Sequence, residues 1–586
     1  MRLRTRSTLS WVLFAVGTVA CLATAFGAYT LAGYSWDQVV SYTSPYIRPL
    51  ETPDATLTTV YVPPGLESEN MPVPGKPLSE RVVLVIVDGM RDDISRSAMP
   101  SLETLRGYGS DLQLTAPQPS LSFPNWTTIL TGAPQTISGV TTNWYDTRVF
   151  APTIMDVVSR AGKTVAVVGP TDFAELYGVK PGPAVSLRPW PKGGYLSGTL
   201  VDDALKISKE TSPALLVLHL PDLDEAGHSH GGASDEYREV ARKIDADLSR
   251  LVTALQSDST TFMVVADHGH VDTGGHGGWE DEVTAVPGIL AGSAVAMGVG
   301  EGNLDQIAST IAVLEGVQPP TYAAGTALRS AITTTAPSVF LADTQHHRLF
   351  VANCIEIASR GTTPAVAVLE RHPGVAGMDA AAKSARNVRL SVERAQRAPY
   401  AFAVLALVFA VVIVLALVAW RALVAAAAGV AVYYLIYNAL FFLMHGYLWS
   451  LSAFNTETQV SAFMNARMAE AIFAAVVGVA AAGIVYPFLR QYPHGPGDRD
   501  FLSGWLALAP ATVLLIQGTL ALQVAWYYWY WGVSITWILP DFRWAFKADL
   551  DMVQMTALGV AAVLAPLVTY LVGRYHPRVR ERRAVG

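Results

Sequence analysis

Residues 81–91 read Arg-Val-Val-Leu-Val-Ile-Val-Asp-Gly-Met-Arg, an apolar run that stops on an aspartate and a glycine. A short continuous apolar run without alternation is the pattern of a strand buried on both faces. Three similar runs follow at Thr164–Val168, Ala214–His219 and Thr261–Ala266. Helical patterns lie between them. In Asp235–Gln256, Ser234 stands at the cap position and Val240, Ile244, Leu248, Leu251 and Leu255 recur at helical spacing. Alternating strands and helices predict a mostly parallel α/β sheet flanked by helices.

Three of these strands run into acidic residues: Asp88 after Val87, Asp222 and Asp224 after Leu220, and Asp267 after Ala266. Parallel sheets place ligands beyond the carboxyl ends of their strands, so these carboxylates should converge. Histidines accompany them at His228, His268, His270 and His276. Carboxylate oxygens with neutral imidazoles are the ligand set of zinc and similar divalent ions. Two such ions about 3.5–4 Å apart can hold both the attacking and the leaving oxygen of a phosphoryl displacement. A single aspartate at a strand end is more often a cap or turn residue, and Asp222 competes with Asp224 for the ligand position.

The segment Pro117–Asp146 is rich in hydroxyls, among them Ser122, Thr127, Thr128 and Thr131. A hydroxyl needs activation to become a nucleophile, and metal coordination supplies it by lowering the pKa. A helix beginning near Asn125 would bury some of these threonines as ordinary interior residues. His219, His230 and His270 have no assigned role at this level; His230 and His270 are close enough in sequence to ligands to support them. Phe123 and Trp144 are candidates to stack a substrate group, although packing is the commoner use of such rings.

Taken in order, Val-Ile-Val-Asp88-Gly-Met-Arg, Ser122-Phe-Pro-Asn125, Asp224-x-x-Gly-His228, Asp267-His268-Gly and His276 resemble the type I phosphodiesterase and nucleotide pyrophosphatase branch of the alkaline phosphatase superfamily. The resemblance covers about Arg81 to Gly292 and implies an alkaline-phosphatase-like fold. Carried over by position, it implies one metal on Asp224, His228 and His276, and a second on Asp88, Asp267, His268 and the Ser122 oxygen. It also implies Ser122 as nucleophile, where these pyrophosphatases usually have Thr, and Asn125 as a donor to a phosphate oxygen. No Arg follows the nucleophile, which favours a diester over a monoester. The stretch Ala266–Gly278, with Glu280 and Glu282 after it, is also similar to ethanolamine phosphate transferases that decorate glycolipid anchors, as is the layout of one span, a catalytic domain and a helical bundle.

At 586 residues, 51% hydrophobic and only 15% charged, with a mean hydropathy of +0.31, the chain is too apolar for an ordinary soluble protein. A net charge of −7 without like-charge blocks gives no support to a nucleic-acid partner. Apolar stretches able to cross a roughly 30 Å hydrocarbon core lie at Trp11–Leu31, Ala401–Trp420, Ala422–Met444, Ala469–Leu489, Trp505–Trp526 and Val553–Gly573. The first exceeds a signal-peptide core, so an uncleaved anchor is expected, with Cys21 buried in it. Cys21 and Cys354 are too far apart in character for a disulfide.

If six spans alternate, Arg2, Arg4, Arg6, Arg490, Arg499, Arg574, Arg578, Arg580, Arg582 and Arg583 share one side, the cytoplasm, while Arg421 sits in a tight turn between the second and third spans. This predicts three parts. Residues 1–34 are a cytoplasmic N-terminus and anchor, 35–396 an extracytoplasmic catalytic domain with a juxtamembrane segment, and 397–586 a five-span domain with a cytoplasmic C-terminus. Trp526–Trp531 and Trp537 read as an interfacial aromatic belt. Asn438, Glu470 and Gln517 are polar groups in or near spans, where function is the default suspicion.

The expected activity is that of a two-metal phosphodiesterase or phosphoryl transferase, with zinc as the expected ion, working through a covalent phospho-serine, with a phosphodiester substrate and membrane lipids as partners. The alternatives are a phosphoethanolamine-type transferase acting on a lipid-linked glycan or lipid and, from another class, a silent membrane receptor or transporter. Five extra spans exceed what anchoring needs, so the bundle is expected to present a membrane-bound substrate. A piece spanning about 35 to 396 is expected to bind the metals without the bundle.

Overall fold

The computed structural model describes residues 2–46, 74–190, 193–489, 499–535 and 537–575. Eight strands form one sheet: β1 (Arg81–Val87), β2 (Ser110–Thr115), β3 (Val165–Pro170), β4 (Val185–Arg188), β5 (Leu215–Leu220), β6 (Thr260–Val265), β7 (Ala285–Gly292) and β8 (Gly298–Asn303). Their spatial order is β4-β3-β5-β1-β6-β7-β2-β8. The block from β4 to β6 is parallel, and β7 runs antiparallel to its neighbours β6 and β2. The four apolar runs are β1, β3, β5 and β6, the inner strands of the parallel block. Val82 to Val87 of β1 are fully buried, and burial of each such side chain contributes about 1.5–3 kcal/mol.

Eight helices matter for the site and the membrane: α1 (Arg2–Val40), α2 (Ser122–Thr131), α3 (Asp222–His230), α4 (Asp235–Leu255), α5 (Val375–Asn438), α6 (Val460–Leu489), α7 (Arg499–Tyr530) and α8 (Phe542–Tyr575). The Ser234 hydroxyl accepts from the Tyr237 amide at 3.1 Å and caps α4 as its sequence predicts. The chain is an integral membrane protein. Among the described residues, five helices are long and apolar enough to cross a bilayer.

The six expected stretches map onto these five helices because the second and third share α5, which departs from helical geometry at Ala419. The two limbs of α5 fold back on each other there. Val408 lies 3.4 Å from where a Cβ on Gly518 would be, and the Tyr434 hydroxyl lies 2.8 Å from that of Thr519. A straight helix would separate residues 408 and 434 by about 39 Å, so both can touch neighbouring residues of α7 only if the chain reverses. The reversal falls two residues before Arg421. The returning limb then meets α6 backbone to backbone: a Cβ on Gly429 would stand 2.7 Å from the Gly478 carbonyl oxygen, so only glycine permits this approach.

Other membrane residues settle into structural roles. Gln517 donates to the Cys21 carbonyl at 3.0 Å and the Met555 carbonyl at 3.1 Å, tying α7 to α1 and α8. Cys21 is buried and unpaired, as is Cys354. Glu470 pairs with Arg467 at 2.7 Å and His445 at 2.8 Å, and Asn438 is exposed. Trp537 departs from the expected belt. It is buried, its indole donates to Glu393 at 3.2 Å, and the Arg389 guanidinium lies 4.3 Å from its ring centre. These charged partners on α5 hold it as a packing residue, whereas Trp526 stays exposed. Arg490, Arg578, Arg580, Arg582 and Arg583, on which the expected orientation partly rests, lie outside the described residues.

The loop before α6, about 445–459, lies against the sheet domain. Trp279 donates its indole N–H to the Trp449 carbonyl at 2.9 Å, and the Gly278 amide donates to Ser452 Oγ at 3.1 Å. The helical elements reach past the sequence boundaries drawn at 34 and 397: α1 continues to Val40, and α5 begins at Val375.

Candidate metal centre

β5, β1 and β6 are neighbours, with Val87 opposite Leu220 and Ile86 opposite Val265. Their carboxyl ends are therefore level, and Asp88, Asp267 and the first turn of α3 emerge together. Two ligand groups result, Asp88 with Asp267 and His268, and Asp224 with His228 and His276, the donor atoms of each lying within 4.8 Å of one another. The His268 and His276 rings stack at 3.9 Å between centres and join the two groups. Ser122 opens α2, with Oγ 3.3 Å from His268 Nε2. A helix N-terminus at this point favours negative charge on or near that oxygen.

Each ligand histidine has its outer nitrogen engaged. His268 Nδ1 faces the Gly269 carbonyl at 3.1 Å, His276 Nδ1 the Ser120 carbonyl at 3.0 Å, and His228 Nδ1 the Asn455 Oδ1 at 3.0 Å. Since the carbonyls can only accept, the first two rings carry a proton on Nδ1 and turn a bare Nε2 inward.

Burial dominates the electrostatics. It raises the Asp88 carboxyl well above the usual range, helped by the nearby charges of Asp267 and Asp224, and it pushes Asp267 up to about 7. Burial pushes Asp224 upward too, yet His228, His270 and His276 outweigh it and hold that carboxyl well below the ordinary value. Burial lowers His268 to about 4 and holds His276 well below its ordinary value, so both imidazoles are neutral. Asp88 Oδ1 and Asp267 Oδ2 accept no hydrogen bond and lie 3.4 and 3.5 Å from His268 Nε2. Buried carboxylate oxygens without partners are costly. A cation among them removes that cost, and the mixed oxygen and imidazole donors suit a zinc-like divalent ion.

The structure also sorts the alternatives left open by the sequence. Asp222 accepts from the Leu196 amide at 2.9 Å and the Ser197 amide at 2.5 Å, so it caps the helix Ser197–Thr211 and leaves Asp224 at the centre. Thr127 bonds Tyr177, while Thr128 and Thr131 donate to carbonyls one turn back, which leaves Ser122 as the hydroxyl beside the ligands. Asn125 donates to the Asp267 carbonyl at 2.8 Å and accepts from Gln135 at 2.8 Å, keeping one amide hydrogen over. Phe123 packs on Trp126, whereas Trp144 is exposed and meets Trp36 of α1 edge-on.

His270 is more central than its sequence suggests. It is fully buried, 3.0 Å from Asp224 Oδ1, and forms a third possible ligand group with Asp224 and His268. His219 is likewise buried, among Trp126, Phe173 and Trp190, with Nε2 2.9 Å from Asp88 Oδ2. Its place inside an apolar strand was the available signal. His230 is exposed, as the default reading of a histidine has it. Asn455 lies far away in sequence, in a loop between spans, and no motif marks it.

Residues 82–284 match the type I phosphodiesterase / nucleotide pyrophosphatase family. The human catalytic subunit of GPI ethanolamine phosphate transferase 2 is 25% identical over 276 residues, covering 43% of this chain and 28% of its own length. GPI ethanolamine phosphate transferase 1 of Emericella nidulans is 26% identical over 262 residues, covering 37% of this chain and 28% of its own. The chain thus spans little more than a quarter of these relatives. Among solved structures, murine ectonucleotide pyrophosphatase / phosphodiesterase 5 aligns over 41% of this chain and 96% of its own, at 14% identity and a TM-score of 0.36. The matched residues 82–284 contain β2 to β6, nearly all of β1, the hydroxyl-rich segment and every candidate ligand above, so the likeness to type I phosphodiesterases / nucleotide pyrophosphatases falls on the candidate metal centre.

Proposed function

We propose that this chain is a two-metal phosphoryl transferase of the membrane, moving an ethanolamine-phosphate-type group between lipid-linked partners by way of a phospho-serine. The observation that carries the proposal is the pair of orphaned carboxylate oxygens, Asp88 Oδ1 and Asp267 Oδ2, facing His268 Nε2 beside Ser122 Oγ. Divalent ions held by Asp88, Asp267, His268 and Ser122 and by Asp224, His228 and His276 would neutralise the phosphate oxygens and lower the pKa of the hydroxyl. Ser122 Oγ attacks phosphorus, and the bond to the leaving alcohol breaks on the opposite side. An acceptor alcohol or water then attacks the phospho-serine and restores Ser122. The remaining Asn125 amide hydrogen and the N-terminus of α2 face the non-bridging oxygens.

Transfer within the membrane is favoured over hydrolysis of a soluble diester by an apolar cleft that begins at His276 and runs down between the sheet domain and the bundle. Trp36, Leu121, Trp144, Phe454 and Phe546 line it, and Asp549 of α8 stands in its wall with one carboxylate oxygen unpartnered. An apolar wall suits acyl chains, and a carboxylate suits an ammonium group, which ethanolamine phosphate carries. The N-terminal side of α1 would then face the cytoplasm and the sheet domain the opposite compartment, in keeping with the arginine distribution.

The test is a product assay on the full chain in lipid vesicles, with zinc and a donor lipid labelled in its ethanolamine phosphate. Label on an added acceptor alcohol is the expected result. Label in free ethanolamine phosphate alone would make the protein a hydrolase. Absence of turnover on any diester by the zinc-loaded protein would leave the silent-receptor reading.

A further inference from the structure

The four inter-span residues Ser452 to Asn455 reach from the membrane bundle into the ligand cluster. The close fit is one of backbone against backbone: a Cβ on Gly275 would stand 2.2 Å from the Ser452 carbonyl oxygen and 3.0 Å from that of Phe454. Ser452 also donates to the buried carboxylate of Glu280 at 2.9 Å. The deepest contact is made by Asn455, on His228 itself.

Asn455 holds His228 at two points. Its Nδ2 donates to the His228 carbonyl, and its Oδ1 lies 3.0 Å from His228 Nδ1. A carbonyl can only accept, so the amide orientation is fixed by the first contact: nitrogen towards the carbonyl, oxygen towards the ring. An amide oxygen can also only accept, which requires a proton on His228 Nδ1 and, in the neutral ring that binds a metal, leaves Nε2 bare. That bare nitrogen faces Asp224 Oδ2 at 3.4 Å and His276 Nε2 at 3.3 Å, inside the ligand group. The backbone N–H of Asn455 donates to Gln459 Oε1 at 3.1 Å, which anchors the loop at this residue. His268 and His276 obtain the same arrangement from carbonyls of Gly269 and Ser120 in their own domain; His228 obtains it from the bundle.

We infer that Asn455 is a positioning residue through which the membrane bundle completes the Asp224–His228–His276 metal site. This rests on the two-metal reading above. An outer partner that sets the tautomer and ring angle of a metal-bound histidine is worth 10–100-fold in metal affinity. On this reading residues 35–396 alone would hold the metal of the Asp224 group about 10–100-fold more weakly, because Asn455 is not among them.

The experiment uses the full-length protein in nanodiscs, stripped of metal and titrated with zinc against a chromophoric chelator. Unaltered protein is expected to take up two equivalents; uptake of none would refute the two-metal reading itself, and not the role of Asn455 alone. In an Asp267→Asn background, where the Asp224 group is read by itself, Asn455→Ala is expected to weaken zinc 10–100-fold. In a His276→Ala background, where the Asp88 group is read by itself, the same change is expected to leave affinity within twofold. Cobalt(II) spectra should change in the first background and not in the second. No weakening in the first background overturns the inference, and so does equal weakening in both, which would signify general loosening of the fold.

Discussion

The two ligand groups are built from the same kinds of side chain but differ in what supports them. Asp88, Asp267 and His268 are fully buried on the turns after β1 and β6, and their hydrogen bonds stay within the sheet domain. Asp224, His228 and His276 sit at the side where the domain meets the bundle, His228 is only partly buried, and its Nδ1 is met by Asn455 of the bundle at 3.0 Å. The contrast is between a cluster whose contacts stay inside the α/β fold and one whose contacts cross to the bundle. Catalysis that requires both sites would then be tied to correct docking on the membrane.

The largest expected effect lies between the two groups. Ser122→Ala should lower turnover by about a thousandfold or more while zinc content stays at the level of the unaltered protein; Ser122→Thr should recover part of it, since either hydroxyl can coordinate and attack. Turnover assays with metal analysis on the same preparations check this. A labelled phosphoryl adduct on Thr127 or Thr128 would show that another oxygen attacks.

Next in size is Asp267→Asn, which should remove metal from the buried group alone and cost several kcal/mol of transition-state stabilisation. Loss of metal from both groups would erase the distinction drawn above.

The pH dependence of metal uptake gives a smaller and more specific signal. Without metal, burial holds the Asp267 carboxyl up to about 7, so below that pH a proton occupies a ligand that must be ionised to bind. Affinity of the buried group should therefore rise with pH up to about 7, by at most about tenfold per pH unit for each proton released, and flatten above it for this residue. Zinc competition titrations from pH 6 to 8 should show the slope, and Asp224, held ionised by its histidines, should add nothing to it.

The smallest effect is expected at the contact between domains. Gly275→Ala would press a methyl group into the Ser452 carbonyl and should weaken the Asp224 group several-fold through displacement of the 452–455 loop, with the Asp88 group unchanged. Separate titration of the two groups distinguishes this from a general loss of stability.

Much of this site was legible before any coordinates. An apolar strand that ends on an aspartate states both its burial and the side of the sheet on which its carboxylate appears, and this held for β1, β5 and β6 because parallel pairing makes their ends level. β8 was invisible for the opposite reason. Gly-Val-Gly-Glu-Gly-Asn has no apolar pattern and is a strand only because β2 offers a partner.

The sequence by itself determined the α/β domain, the apolar helices and the ordered ligands, because hydrophobic period and strand ends are local properties of the chain. Only tertiary structure decided that Asp222 caps a helix while Asp224 joins the carboxylate–histidine cluster, that His219 and His270 pack against that cluster, that α5 reverses at Ala419, and that Asn455 touches His228. Each of these depends on which groups meet across 26 to 227 residues of intervening chain, and a hydrogen bond or a close backbone approach leaves no periodic trace in the residues that make it.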